Sequence, residues 1–161
     1  MTKTCLKLIT SITLILSLFE NSQAQSFNND KTAFSNFLKR MYTASPFEGV
    51  KIVDDYDYQY LVSVISLEKA KYTSESTMNR VAQVKAQSQA STFLNGASIS
   101  MDMIITTKEV KDSSNNLKII TETVESIKQN SVGFSQGLEF LTSLASQDNL
   151  RTVFIYIRKL E

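Results

Sequence analysis

The sequence predicts an α+β fold: one long alanine-rich helix packed on an antiparallel sheet of about four to five strands, with a short amphipathic helix before it. Three observations carry that expectation. Met78, Ala82, Ala86, Ala90 and Leu94 recur every four residues, the spacing of one helix face. Past Gly96 the period drops to two, with Ile99, Met101, Met103 and Ile105 alternating against Ser100, Asp102, Ile104 and Thr106. The C-terminal run Thr152 to Leu160 is apolar at almost every position.

The chain divides into an N-terminal leader at 1–24, a helix and linker at 25–57 and an α+β domain at 58–161. In the leader, Lys3 and Lys7 precede an apolar run from Leu8 to Phe19, interrupted by Thr10, Ser11, Thr13 and Ser17. Small residues stand at Ser22 and Ala24. Basic start, short apolar stretch and small-residue end form the pattern of a cleaved secretory signal, with Gln25 expected as the first mature residue. The run falls short of the roughly 20 apolar residues a spanning helix needs.

Gln25 to Asp30 is polar. From Lys31 to Thr43 the residues Phe34, Phe37, Leu38, Met41 and Tyr42 fall at helical spacing, with Asp30 as an N-cap candidate. Pro46 and Gly49 mark a loop, and Val50 to Val53 suits a short strand. Asp54, Asp55, Tyr56 and Asp57 suggest a turn. Tyr58 to Glu68 is a strand rich in Tyr, Val and Ile. Thr73 or Ser74 can cap the alanine-rich helix, and Gly96 can end it in a left-handed conformation. Its alanines leave little bulk and cost no side-chain entropy, so this helix can lie close to a sheet. Arg80, Lys85, Gln87 and Gln89 are expected on its wet sides.

The half-buried strand after Gly96 leads to Asp112-Ser113-Ser114-Asn115-Asn116, a turn-rich stretch that predicts a hairpin. Residues 117–131 read as its second strand on their Thr and Ile content, although Ile120, Val124 and Ile127 also suit a short helix. Ser131 to Phe134 suggests a bulge or bend. Leu138 to Ala145 is a strand, Ser146 to Asn149 a turn, and Thr152 to Leu160 the last strand. Val153, Ile155 and Ile157 fall on one face of that strand, and Phe154 and Tyr156 on the other. Such a strand belongs inside a sheet covered twice. The long helix can cover one face. The first helix or another chain must cover part of the other.

Composition narrows the chemistry. Removing 24 of 161 residues leaves 137, enough for one core of ordinary size. The leader takes two of the 17 basic and one of the 16 acidic residues, leaving 15 of each sign. A neutral chain with no basic block offers nucleic acid no electrostatic handle, and no nucleic-acid partner is expected. No second apolar segment of spanning length is present, so the mature chain is expected to be soluble or peripheral to the outer membrane at most. The single cysteine, Cys5, lies in the leader, so the mature chain cannot form a disulfide. No Asn-x-Ser/Thr acceptor occurs. Together these traits favour a bacterial exported protein.

Histidine is absent. With no mature cysteine either, Ser-His-Asp and Cys-His catalysis and ordinary zinc sites are excluded. Neither a phosphate-binding P-loop nor a dinucleotide glycine motif occurs. Asp54, Asp55 and Asp57 lack the spacing, turn glycine and distal Glu of an EF-hand loop, and a solvated turn is favoured. Glu122 and Glu125 are two acids of the kind any domain carries. Ser74, Ser88 and Lys85 are better read as a wet helix face than as an activated serine. No catalytic, cofactor-binding or metal-binding residue is therefore assigned, and no enzyme activity is expected.

The remaining candidates are aromatic. Tyr56, Tyr58 and Tyr60 alternate, so an extended chain puts all three rings on one side. Most such stripes are core, and a sheet face under the first helix is the favoured reading. Tyrosine also joins apolar area to a polar tip, as interfaces require. Tyr56, Tyr58, Tyr60, Phe154 and Tyr156 form the candidate interaction surface.

The segment from Arg80 to Ile99, with its A-x-x-x-A-x-x-x-A helix ending in Leu94-Asn95-Gly96, resembles a bacterial envelope family. That family is typified by the twenty-kilodalton outer-membrane lipoprotein and the N-terminal module of the flagellar T-ring protein. Ser131 to Glu139 and Thr152 to Tyr156 are similar to that family's closing bend and strands, and the likeness spans residues 58–160. Periplasmic SIMPL-type domains share the strand–helix–strand pattern. The resemblance implies a helix on an antiparallel sheet, a structural or assembly role in the cell envelope, and no catalytic residues. Other envelope proteins, or a second copy of the chain, are the partners it implies. No cysteine stands at the expected cleavage site, which departs from the lipoprotein members. The alternative reading is a periplasmic or secreted small-ligand-binding module, with its pocket between the sheet and the first helix.

Overall fold

A computed structural model describes residues 31–55, 58–96, 100, 103–106, 113–128 and 131–160. The expected leader, Tyr56, Asp57 and Ile99 lie outside the described residues. By contact the chain forms two compact units, Met1–Ser45 and Pro46–Glu161. In the first, residues 31–44 are helical (α1). Phe34 and Phe37, three apart on one helix face, stack at 6.4 Å and 18°. The Thr43 hydroxyl donates to the Lys39 carbonyl at 2.8 Å.

The second unit is mixed α/β. Its strands are β1 (Gly49–Asp55), β2 (Tyr58–Glu68), β3 (Ile104–Thr106), β4 (Glu139–Ala145) and β5 (Arg151–Leu160). Its helices are α2 (Glu75–Gly96), α3 (Ser113–Lys128) and α4 (Ser131–Gln136), with a 3-10 turn at Lys69–Lys71. The strand at 49–55, N-terminal to residue 58, therefore belongs to the sheet. Strand order is β3-β1-β2-β5-β4. The β1–β2, β2–β5 and β4–β5 pairs are antiparallel, whereas β1 and β3 run parallel through Ile52↔Ile104 to Asp54↔Thr106. The sheet is thus mixed, not wholly antiparallel as expected. Between the parallel strands β1 and β3 the polypeptide passes through β2 and α2, the kind of long crossover that parallel strands require. Among the described residues no helix is long and apolar enough to cross a membrane.

Ser74 starts α2. Its Oγ accepts the Thr77 N–H at 3.2 Å and its carbonyl accepts the Met78 N–H at 3.1 Å, satisfying two of the helix's first donors. Met78, Ala82, Ala86, Ala90 and Leu94 are the buried face of α2. They share a core with Ile52, Leu61, Ile65, Leu67, Phe154 and Leu160 of the sheet. The small stripe brings the two backbones so near that Ser63 Oγ donates directly to the Ala86 carbonyl at 3.2 Å. Gln89, expected in solvent, instead turns inward, and its amide donates to Ser63 Oγ (2.7 Å), the Val64 carbonyl (3.1 Å) and the Gly49 carbonyl (3.2 Å). Gly96 is the last residue of α2 and has no positive φ, contrary to its expected left-handed role.

Residues 113–128 correct the predicted hairpin and second strand. They form α3, whose Ile120 and Val124 are fully buried and whose Ile127 packs beside them. The Thr hydroxyls that suggested a strand are spent inside the helix. Thr121 donates to the Leu117 carbonyl at 2.8 Å, and Thr123 to that of Ile119 at 2.9 Å. Burial of the 120/124/127 stripe outweighs a modest β preference. Likewise 131–136 is the short helix α4, not a bulge or bend, with Phe134 in the core. Asp54 and Asp55 close β1 instead of forming a turn. Asp54 is only 3 % exposed and accepts a hydrogen bond from Asn116 Nδ2 at 3.2 Å.

Strand β5 lies between β2 and β4, and Val153 to Ile157 are all buried. Phe154 and Tyr156 face α2. Val153, Ile155 and Ile157 form, with Val53, Val62 and Val64, a second buried apolar face. The β4–β5 turn is held by Asp148, whose carboxylate accepts the Ser146 hydroxyl at 2.5 Å and the Leu150 N–H at 3.0 Å. Asn149 supplies the left-handed residue, φ 57°.

Two outcomes test this packing. Ala86→Leu is expected to cost about 1–3 kcal/mol, read by thermal denaturation, because there is no room for three more carbons under α2. Asp148 has its acidity raised by the Ser146 and Leu150 hydrogen bonds, which hold its pKa below the ordinary 3.8. Its contribution is therefore full above that value and lost as pH falls through the lower folded value. The difference in melting temperature between the native chain and Asp148→Ala should shrink on acidification below 3.8.

Candidate interaction surface

The fold separates the aromatic candidates. Tyr58 and Tyr60 stand where β2 begins, ring centroids 6.5 Å apart and edge to face. Lys159, paired with Tyr60 across β2 and β5, sets its ammonium 3.6 Å from the centre of the Tyr58 ring. Tyr58 is 49 % exposed. By strand alternation this cluster belongs to the sheet face away from α2. Phe154 and Tyr156 lie on the α2 face and are 2 % and 4 % exposed. Tyr56 lies outside the described residues. The described four are therefore two groups on opposite faces, not one surface.

Tyr156 nevertheless borders a surface. Its ring meets Phe140 edge to face at 5.7 Å, and its hydroxyl donates to the Asn79 carbonyl of α2 at 3.4 Å. Burial pushes its phenol above the ordinary value near 10. Phe140 is 56 % exposed. It sits on β4, which forms one edge of the sheet. Between β4 and the first half of α2 runs a groove of about 450 Å³, walled by Glu75, Asn79, Arg80 and Gln83 on the helix and by Phe140 and Tyr156 on the sheet. One wall is thus polar with both signs of charge, and the other is aromatic.

The local sequence sets this geometry. A bulge interrupts the β4–β5 register between Phe140 and Thr142, where one extra residue, Leu141, is accommodated. The start of β4 is held by Arg158, which donates to the carbonyls of Gly133 (3.0 Å) and Phe134 and lies 4.3 Å over the Phe134 ring. Gly137 leaves room for that guanidinium; a Cβ there would collide with it. Gln87 adds a bond from α2 to the Gln136 carbonyl at 3.2 Å. Phe140 was not singled out from the sequence. Its signal was the run Phe140 to Ala145, a strand with no charge and no proline.

A second cleft, of about 590 Å³, opens between α2 and the β1–β2 pair. Glu48, Gly49, Lys85, Ser88, Gln89 and Phe93 contribute to its lining. The structure thus places Lys85 and Ser88 on one rim, both exposed. Ser74 is the α2 cap, away from that rim. Glu122 and Glu125 are exposed on α3. Among the described residues no group of three or more His, Cys, Asp or Glu could hold a metal ion.

No family model, curated protein or solved structure matches the chain.

The two phenylalanines at the groove should behave differently on truncation. Phe154→Ala is expected to cost about 3–5 kcal/mol by denaturant unfolding, as for a filled core site. Phe140→Ala, already half in water, should cost well under half of that and leave the fold intact.

Proposed function

We propose that this chain is an exported component of a bacterial cell envelope that acts by binding protein and catalyses no reaction. The observation that carries the binding role is Phe140, a large apolar side chain left 56 % exposed on the edge strand β4 beside a groove. Scattered exposed apolar residues are ordinary, but this one meets a second aromatic ring, Tyr156, and borders a groove. The compartment rests on the leader pattern, on a mature chain without cysteine or an Asn-x-Ser/Thr acceptor, and on the resemblance of residues 58–160 to the envelope family. An amphipathic helix at 31–44, ahead of a long alanine-bearing helix on a sheet, is the working architecture in this reading.

A second reading, a small-ligand-binding module, is favoured by the cleft rimmed with Lys85, Ser88 and Gln89, whose volume lies in the range of ligand pockets. A specific lipid, glycan or peptide that raises the melting temperature of the native chain, and not of a Gln89→Leu variant, would support it.

The protein-binding role is tested by placing a photo-reactive residue at position 140 in cells that make the protein, with position 70 as a control. Expected are discrete adducts from position 140, none from 70, and a polypeptide that begins at Gln25 in the envelope fraction. Uncut chain in the cytosol, or equal labelling from both positions, would overturn the reading.

A further inference from the structure

We infer that Asn95 is a modification site, at which the side-chain amide converts to a mixture of aspartate and isoaspartate by attack of the Gly96 backbone nitrogen. The last turn of α2 and the Ser131 hydroxyl set the rate. No enzyme is required, and water is the only co-reactant.

Asn95-Gly96 is the one Asn-Gly pair in the sequence. Asparagine is thermolabile, and a following glycine offers the least hindered backbone nitrogen, because it has no Cβ. In the first step the Gly96 nitrogen bonds to Asn95 Cγ and closes a five-membered succinimide. The Cγ–Nδ2 bond breaks, and Nδ2 leaves as ammonia with the proton given up by Gly96. Water then adds to one of the two ring carbonyls. Cleavage between Cγ and the ring nitrogen gives aspartate in an unaltered main chain. Cleavage between the Asn95 carbonyl carbon and that nitrogen gives isoaspartate, whose main chain runs through Cγ.

The fold both presents this pair and restrains it. Asn95 is exposed. Gly96 is the last residue of α2, and among the described residues open space lies where its Cβ would stand, so the backbone has room to turn. Ring closure requires that turn, since the helix aims the Gly96 N–H along its axis at the Thr92 carbonyl and away from Cγ. The amide must also come free. Its Nδ2 donates to the Ser91 carbonyl at 2.9 Å and to Ser91 Oγ at 3.4 Å, and its Oδ1 accepts the Ser131 hydroxyl at 2.9 Å. Ser131 is buried and is the first residue of α4, so this bond ties the end of α2 to a second helix. Helix ends fray at little cost compared with global unfolding. The site is therefore closed in the intact turn and released by fraying. Conversion removes the donor to Ser91 and puts a full negative charge at the C-terminal end of α2, where the helix dipole disfavours it. The altered turn re-forms less readily, and the change accumulates in one direction.

The experiment incubates the protein isolated from cells that make it in neutral buffer. The peptide that contains Asn95 is then read by mass spectrometry and by an isoaspartate-specific methylation assay. Asn79, followed by Arg80 within α2, is the internal reference. Expected are conversion at Asn95 in the folded chain, none at Asn79 over the same period, and a faster rate at Asn95 once the chain is unfolded in denaturant. Ser131→Ala should raise the folded-state rate about fivefold, the weight of one ordinary hydrogen bond, and leave the rate in denaturant unchanged. Gly96→Ala, whose methyl enters open space, should keep the circular dichroism spectrum and slow conversion several-fold in folded and unfolded chains alike. If Ser131→Ala does not fold, Gly96→Ala and the ratio of unfolded to folded rates in the native chain decide. Conversion of the folded chain no faster at Asn95 than at Asn79 overturns the inference. So does a native rate that unfolding does not raise, or a folded Ser131→Ala chain that converts no faster than the native one.

Discussion

The close approach of α2 to the sheet is the constraint on which the rest of the second unit depends. Three alanines on one helix face leave only methyl groups between the helix and the sheet. Ser63 then reaches the Ala86 carbonyl, and Gln89 ties α2 to both β1 and β2 through one amide. Ser63 is a fully buried hydroxyl in the middle of an apolar strand, and it is affordable only because α2 supplies its partners. A bulkier stripe would lift the helix, strand these polar groups and open the core. The groove lies between the first half of α2 and the rings of Phe140 and Tyr156.

Much of this was legible in the sequence. The every-fourth-residue stripe identified α2 and its five buried residues, because a helix with one strongly small and apolar face has few ways to pack. β2, β4 and β5 were found within a residue or so at each end, since β-branched and aromatic residues are concentrated there between clear turn signals. The two-sided apolar character of β5 was readable too, and the strand does lie inside the sheet with both faces buried. Residues 113–128 misled because Thr and Ile are shared by strands and helices. What decided was tertiary burial of Ile120 and Val124, which no local window contains. A strand after Gly96 was readable from its alternation, but the parallel pairing of Ile104–Thr106 with β1 was not, because direction is set by long-range pairing.

The binding surface was less legible than the fold. Grouping Tyr58 and Tyr60 with Phe154 and Tyr156 treated composition as proximity. Strand alternation and register put the first pair on one face and the second on the other. Phe140 escaped notice because its significance comes from strand order, and order is a property of long-range pairing. Gln89 was assigned to solvent by its type, yet the short distance between α2 and the sheet draws its amide inward. In each case the residue's own chemistry was correctly read and its neighbours were not.

Among the described residues the sheet is lopsided, with a seven-residue rim at β4 and a three-residue rim at β3. Ladders lengthen into fibrils when both rims of a unit can be occupied in turn. Among the described residues the stub at β3 offers far fewer backbone groups than β4, so the two margins are not interchangeable templates for an added strand.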